Sequence, residues 1–212
     1  MRYRCLLFDL DGTLLDPLDD LTAAVNAARG ELRLPPLAPE TVRDYVGDGM
    51  RVLLLRSVPE EAIEQAIPVF RRHYAAHLLD RTRLYPGVAD VVAALHGAGV
   101  RLAVVSNKAQ DFTERLVTGL GLRPYLGAVL GGSEGIPRKP APDPFLAALE
   151  QLGGDRAEAL VVGDGRNDIQ AARAAGLAVC GVLYGLGRPE EIRRLAPDYL
   201  ISTPQELLKV VL

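Results

Sequence analysis

Short runs of uninterrupted apolar residues alternate, along most of this chain, with segments whose apolar positions recur every three or four residues. The runs at 4–8, 100–105, 128–130, 159–162 and 178–182 are rich in leucine and β-branched residues and are bounded by Gly, Asp or Ser. Because they are apolar at consecutive positions rather than at every second one, they predict strands covered on both faces. Val88, Val91, Val92 and Leu95, and likewise Phe112, Leu116 and Leu120, mark the buried stripes of amphipathic helices between them. Strands alternating with helices predict parallel βαβ units, and so an α/β fold with a doubly wound, Rossmann-like parallel sheet.

One stretch breaks the alternation. From residue 16 to residue 83 there are helical stripes (Leu21, Ala24, Val25, Ala28; Val52, Leu53, Leu55; Ile63, Ile67, Phe70, Tyr74) and no strand pattern. This predicts an all-helical cap, 16–83, inserted after the first strand of a core built from 1–15 and 84–212. Pro68 is expected to start a new helix, since proline suits a first turn and breaks an interior. The turn-rich segments 13–18 and 81–87 are the expected hinges, and 34–39 (Leu-Pro-Pro-Leu-Ala-Pro) is a rigid loop within the insert.

Composition narrows the class. The 212 residues are 49% hydrophobic and 24% charged, as in soluble globular domains, and 24 Lys+Arg against 27 Asp+Glu leave a net charge of −3. A nucleic-acid binder is expected to carry basic excess, so no nucleic acid is expected as a partner. The first apolar run ends at Asp9, and no run approaches the roughly 18 apolar residues of a membrane span, so no membrane is expected either. Cys5 and Cys180, far apart and each beside apolar residues, read as buried thiols in a reducing compartment, the cytoplasm.

In an open α/β sheet ligands bind beyond the carboxyl ends of the strands. Those positions are polar here: Asp9-Leu10-Asp11-Gly12-Thr13 after the first strand, Ser106-Asn107-Lys108 after the second, Gly163-Asp164-Gly165-Arg166-Asn167-Asp168 after a later one, with Lys139 between prolines and loop residues in between. Alone, Asp-Gly is a turn, Ser-Asn a helix cap and a loop lysine a solvated charge. Together, four carboxylates at one end of a buried sheet repel one another unless a cation neutralises them. Oxygen donors without a histidine or thiolate cluster point to magnesium. His73 and His77 lack the intervening glutamate of a zinc-protease helix and read as surface or packing residues. Gly163-Asp164-Gly165 has Asp168 where a dinucleotide fingerprint needs its third glycine, and no G-x-x-x-x-G-K-[ST] loop is present. A carboxylate can attack phosphorus to give an aspartyl phosphate, and a second one two residues on, sharing its direction, can serve as general acid and base. Ser106, nearby backbone amides and Lys139 are then the groups to hold phosphoryl oxygens.

Asp9-Leu-Asp-Gly-Thr-Leu, Ser106-Asn-Lys, Lys139-Pro and Gly163-Asp-Gly-Arg-Asn-Asp168, in this order, resemble the four motifs of the haloacid dehalogenase-like hydrolases over essentially the whole chain. The resemblance implies Asp9 as nucleophile, Asp11 as acid/base and backbone-carbonyl metal ligand, and Ser106, Asn107, Lys139, Gly12 and Thr13 at the phosphate. It implies Asp164 and Asp168 at a Mg2+ ion with Asp9. Within the family the chain is similar to bacterial phosphoglycolate phosphatases in Tyr85-Pro-Gly-Val, Arg138-Lys-Pro-Ala-Pro-Asp-Pro, Arg166-Asn-Asp-Ile-Gln-Ala-Ala and the cap segment Val46-Gly-Asp-Gly-Met with Arg56 downstream. Gly165 and Pro17 stand where the family often has a hydroxyl residue. The implied activity is hydrolysis of a small phosphorylated metabolite, 2-phosphoglycolate first, by a monomer or homodimer. Gly47, Asp48, Gly49 and Arg56 are the expected cap residues for substrate choice. A sugar-phosphate phosphatase, a pyrophosphatase, a β-phosphoglucomutase-like mutase and a non-catalytic phosphate-binding module are the alternatives.

Overall fold

The five apolar runs lie side by side in one sheet. In the computed structural model, which describes residues 2–133, 135 and 137–212, β1 (Cys5–Phe8) is followed by β2 (Leu15–Asp16), the helices α1 (Leu18–Glu31), α2 (Pro39–Arg43), α3 (Met50–Leu55) and α4 (Ile63–His77), and β3 (Arg83–Leu84). Then come α5 (Val88–Gly97), β4 (Arg101–Ala109), α6 (Gln110–Gly119), β5 (Leu126–Gly132), α7 (Asp143–Gln151), β6 (Ala159–Gly163), α8 (Arg166–Ala174), β7 (Ala178–Val182), α9 (Pro189–Arg194), β8 (Tyr199–Ile201) and α10 (Glu206–Val211). The six-stranded sheet has the order β5-β4-β1-β6-β7-β8 and every neighbouring pair is parallel.

Alternation along each strand divides the core. Leu6, Phe8, Leu102, Val104, Leu160 and Val162 point to one face and pack with α5, α6, α10 and the helices between β2 and β3. Cys5, Leu7, Ala103, Val105, Val161 and Val179 point to the other and pack with α7, α8 and α9. Both faces are thus covered, which is why the strands read as continuous apolar runs. Cys5 and Cys180 are buried free thiols. No helix among the described residues is long and apolar enough to cross a membrane.

The segments expected as hinges form a two-stranded ribbon, Leu15 opposite Leu84 and Asp16 opposite Arg83, antiparallel. Pro68 departs from expectation: it lies inside α4 rather than at a helix start. It is exposed, and Glu64, whose carbonyl loses its i+4 donor, is exposed too, so water can take the freed acceptor. The second strand also runs past its apolar stretch, and Ser106, Asn107 and Lys108 are strand residues of β4 rather than loop. A register irregularity between Val105 and Ala109 lets β4 rejoin β5 at Gly132. The strand β8, three residues at the sheet edge, has too little pattern to be read from sequence.

Candidate active site

Strand β1 is the centre of the sheet, and the chain leaves it to β4 on one side and later to β6 on the other, so the topological switch falls at its carboxyl end. A cavity of about 440 Å³ opens there, and Asp9, Asp11, Ser106, Lys139, Asp164 and Asp168 all line it. Leu10, between the two aspartates, is fully buried in the core, while Asp9 and Asp11 on either side of it, just past the end of β1, line the cavity.

Lys139 ties the site together. Its ammonium lies 2.7 Å from Asp9 Oδ1 and 2.7 Å from Asp168 Oδ1, and donates to the Val105 carbonyl at 2.7 Å. Asn107 positions it: the Asn107 amide accepts from Lys139 N at 3.0 Å and donates to Lys139 O at 2.9 Å. Asp168, in the first turn of α8, also accepts from Gly165 N at 3.1 Å. Asp164 accepts from the Leu186 and Gly187 amides, each at 2.9 Å, and from the Thr13 hydroxyl at 3.2 Å. Gly12 has φ +87°, and a Cβ there would stand 2.1 Å from Asp164 Oδ2, so only glycine fits. The Gly12 and Thr13 amides bond to Leu15 O and Leu10 O. With their backbone donors engaged, these two residues shape the turn, Thr13 holds Asp164, and neither lines the cavity. Ser106 lines the cavity, its hydroxyl oxygen accepting from Lys108 N at 3.2 Å, which leaves its own O–H free to donate.

Burial drives the electrostatics. It is the largest influence on Asp9, with Asp168 and Asp164 adding repulsion against the pull of Lys139, and the carboxyl stands well above its ordinary value. Asp164 is pushed up to about 6, by burial first and then by Asp168. For Lys139, burial opposes the charge, but Asp168 and Asp9 outweigh it and raise its pKa. One oxygen each from Asp9, Asp164 and Asp168 lie within 4.8 Å of one another. Lys139 and Lys108 are the two buried ammonium groups against four carboxylates, a formal deficit of two charges. Three buried oxygen donors and that deficit suit a hard divalent cation.

Asp11 stands apart from the other three. Its Oδ2 pairs with Lys108 Nζ at 2.9 Å, while its Oδ1 is buried without a hydrogen-bond partner. Lys108 in turn donates to the Tyr74 hydroxyl at 2.7 Å and sits 4.6 Å from that ring's centroid. Burial opposes the Lys108 charge, but Asp11 and Tyr74 outweigh it and raise its pKa. Burial lifts Tyr74 to about 12.

Of the expected cap residues, Gly47, Asp48 and Gly49 reach the cavity as one loop, with Gly47 at φ +120° and Gly49 at φ +87°, and Arg56 reaches it from the end of α3. The Gly47 carbonyl accepts from Asn107 at 3.0 Å and from Asn167 at 3.3 Å, and Asp48 Oδ1 accepts from Asn167 at 2.7 Å. Arg56 pairs with Asp48 at 2.6 Å and donates to Tyr45 O. Burial works against the Asp48 charge, yet Asn167 and Arg56 together hold its carboxyl below the usual range. Arg51 pairs with Glu64 on the surface at 2.8 Å. His73 and His77 stack with centroids 4.6 Å apart, and His77 meets Asp80 at 2.8 Å, a packing arrangement as expected. Lys108, Tyr74 and Arg43 are site residues that the sequence reading did not single out. A lysine at the end of a buried strand was the available signal for the first, whereas Tyr74 looked like one more position of an apolar stripe.

A doubly wound parallel sheet with an oxygen-donor cluster and a buried lysine at its switch point is the architecture of an α/β hydrolytic enzyme. Residues 6–182 match the haloacid dehalogenase-like hydrolases, and the chain belongs to that family. It is 36% identical over 208 residues to a phosphoglycolate phosphatase of Aquifex aeolicus (strain VF5), covering 98% of this chain and 96% of the relative. It is 37% identical over 215 residues to phosphoglycolate phosphatase 1 of Pseudomonas aeruginosa, covering 97% of this chain and 78% of that one. A crystal structure of a predicted phosphoglycolate phosphatase from Haemophilus somnus 129pt superposes with a TM-score of 0.93 at 32% identity, covering 100% of this chain and 99% of that one.

Proposed function

We propose that this enzyme is a magnesium-dependent phosphatase that hydrolyses 2-phosphoglycolate through an aspartyl-phosphate intermediate. The observation that carries the mechanism is the pairing of Asp9 with Lys139 in a cavity that Asp11 also lines, with a buried, unpartnered oxygen of its own. An Asp9 oxygen attacks phosphorus, the bond from phosphorus to the ester oxygen breaks, and protonated Asp11 gives its proton to the departing alkoxide. Asp11, now a carboxylate, takes a proton from water, the resulting hydroxide attacks phosphorus, and the bond to Asp9 breaks to release phosphate. Ser106 donates its hydroxyl to a phosphoryl oxygen, the Lys139 ammonium beside Asp9 offsets the phosphoryl charge, and Asn107 keeps Lys139 in place. Asp9, the Asp11 carbonyl and Asp164 would hold the Mg2+, with Asp168 ligating or orienting a bound water. When bound, the ion offsets the negative charge of the attacking carboxylate and the phosphoryl group.

The names and identities of the relatives support 2-phosphoglycolate as the substrate. Residues 16–83 act as a cap that closes over the leaving group and excludes water, tied to the core 1–15 and 84–212 by the β2–β3 ribbon. Two buried free thiols suit a cytoplasmic enzyme. The test is a panel of phosphomonoesters ranked by kcat/KM with Mg2+, with chelator and with Ca2+. Expected are a lead of tenfold or more for 2-phosphoglycolate, no turnover in chelator, and inhibition by Ca2+, whose looser coordination lets the Asp9 carboxylate bind bidentate. A sugar phosphate or pyrophosphate leading by tenfold removes the substrate assignment but leaves the phosphatase mechanism, and full activity in chelator removes the metal.

A further inference from the structure

We propose that Lys108 and Tyr74 form the subsite for the carboxylate of the leaving group, so that the enzyme selects short phosphorylated carboxylic acids. The inference rests on the phosphatase reading of the site and assigns its specificity to a place other than Arg56. Lys108 Nζ is 2.9 Å from Asp11 Oδ2, and Asp11 is the group placed to protonate the bridging oxygen. In a phosphoglycolate one methylene separates that oxygen from the carboxylate carbon, so the carboxylate falls beside whatever adjoins Asp11. That neighbour is an ammonium whose side chain is only 7% exposed and which lines the cavity. An ammonium has three donors, and among the described residues the side-chain partners of Lys108 are Asp11 and Tyr74. Tyr74 accepts from Lys108, so its own O–H remains to be donated. Two donors, one of them charged, are therefore left beside Asp11 for the carboxylate, the pairing that a buried anion requires.

Of the other cations lining the cavity, Arg166 is exposed at the start of α8 and the rest are engaged. Arg56 is paired with Asp48 and Arg188 with Asp44, Arg43 donates to two carbonyls, and Lys139 joins Asp9 to Asp168. Phe70 and Phe112 pack on Tyr74, with ring centroids 5.5 and 5.0 Å away, and line the same cavity, as do Met50 and Leu53. Sugar hydroxyls pressed against them would lose hydrogen bonds to water without replacement, which disfavours a sugar phosphate.

The test compares 2-phosphoglycolate with 2-hydroxyethyl phosphate, which puts a hydroxymethyl group in place of the carboxylate, and reads the ratio of their kcat/KM values in wild type, Lys108→Met, Tyr74→Phe and Arg56→Ala. Expected is a wild-type ratio of about 100 or more, as for a buried charged pair lost with the substrate carboxylate. The ratio should fall to within about threefold of unity in Lys108→Met and by roughly tenfold in Tyr74→Phe, which keeps the ring packing and folds even where the lysine variant does not. A ratio that survives in both, or that collapses in Arg56→Ala alone, overturns the assignment while 2-phosphoglycolate hydrolysis stands. Wild-type enzyme that does not turn over 2-phosphoglycolate sinks the substrate reading and this subsite together.

Discussion

Asp9 is buried beside Asp164 and Asp168, so its charge is opposed by both solvent exclusion and its neighbours. The Asp9→Asn variant should lose at least about 10³-fold in kcat, since it has no nucleophile, while its circular dichroism stays that of wild type. Its stability should move the other way. A carboxyl whose folded pKa is raised binds more protons folded than unfolded, so its stabilising contribution is full at low pH and is lost as pH rises through the folded value. For Asp164 that window runs from about 4 to about 6, and Asp9 acts in the same direction. In chelator, wild type should therefore melt lower at pH 7 than at pH 5.5 relative to Asp9→Asn, and Mg2+ should raise the wild-type melting temperature more at pH 7 than at pH 5.5. Equal metal-free profiles in differential scanning calorimetry would show that the carboxylates do not repel as argued. The residue types of this cluster were legible in sequence, because acid residues at strand ends have a short list of uses. Lys108 and the Asn107 clamp were not, since nothing in Ser-Asn-Lys tells which side chain bonds to Asp11 and which to a distant loop.

Among the elements, α1 and β3 meet through a buried aspartate with no chemical role in the proposed reaction. Asp20, in the first turn of α1, accepts from Arg81 N at 3.0 Å and from Thr82 N and Thr82 Oγ1 at 2.8 Å each. It fastens the chain just before the β2–β3 ribbon. Asp20→Ala leaves the buried Thr82 donors unsatisfied and should cost on the order of 3 kcal/mol. For a chain of this size that is a fall of roughly 6–12 °C in Tm. Asp20→Asn keeps an acceptor oxygen and should lose less than half as much; a Tm unchanged in Asp20→Ala would refute the clamp. Strand positions were readable because parallel strands buried on both faces carry no alternation to confuse them. The helix containing Pro68 was misread because the exposure of Glu64, which makes the missing hydrogen bond tolerable, depends on what packs against α4.

Over the whole molecule, the segment 16–83 and the sheet end are joined by side chains from both. Arg43, the last residue of α2, donates to Gly185 O at 2.9 Å and Leu186 O at 2.8 Å. The next amides of that same loop, Leu186 and Gly187, hold Asp164. The segment 16–83 is thereby linked to the placement of Asp164, a proposed metal ligand. Arg43→Ala, which loses both charged hydrogen bonds to that loop, should raise the Mg2+ concentration for half-maximal activity by at least about fivefold. Arg51→Ala, which removes only an exposed pair with Glu64, should leave it unchanged. A Mg2+ response in Arg43→Ala that matches wild type would separate the cap from the metal site.

The five central strands and their alternation with helices, the parallel sheet, the helical stretch within residues 16–83 and the acidic residues beyond the strand ends were all legible in the sequence itself. Each depends on local periodicity or on residue chemistry that holds in any surroundings. Which donors remain free was decided only by the tertiary structure. The Gly12 and Thr13 amides turn inward to Leu15 and Leu10, Arg56 closes on Asp48, and Lys108 comes to rest between Asp11 and Tyr74. The Arg56–Asp48, Lys108–Tyr74 and Lys108–Asp11 contacts join residues 8, 34 and 97 positions apart and form only once packing has fixed both partners, so no local pattern can announce them.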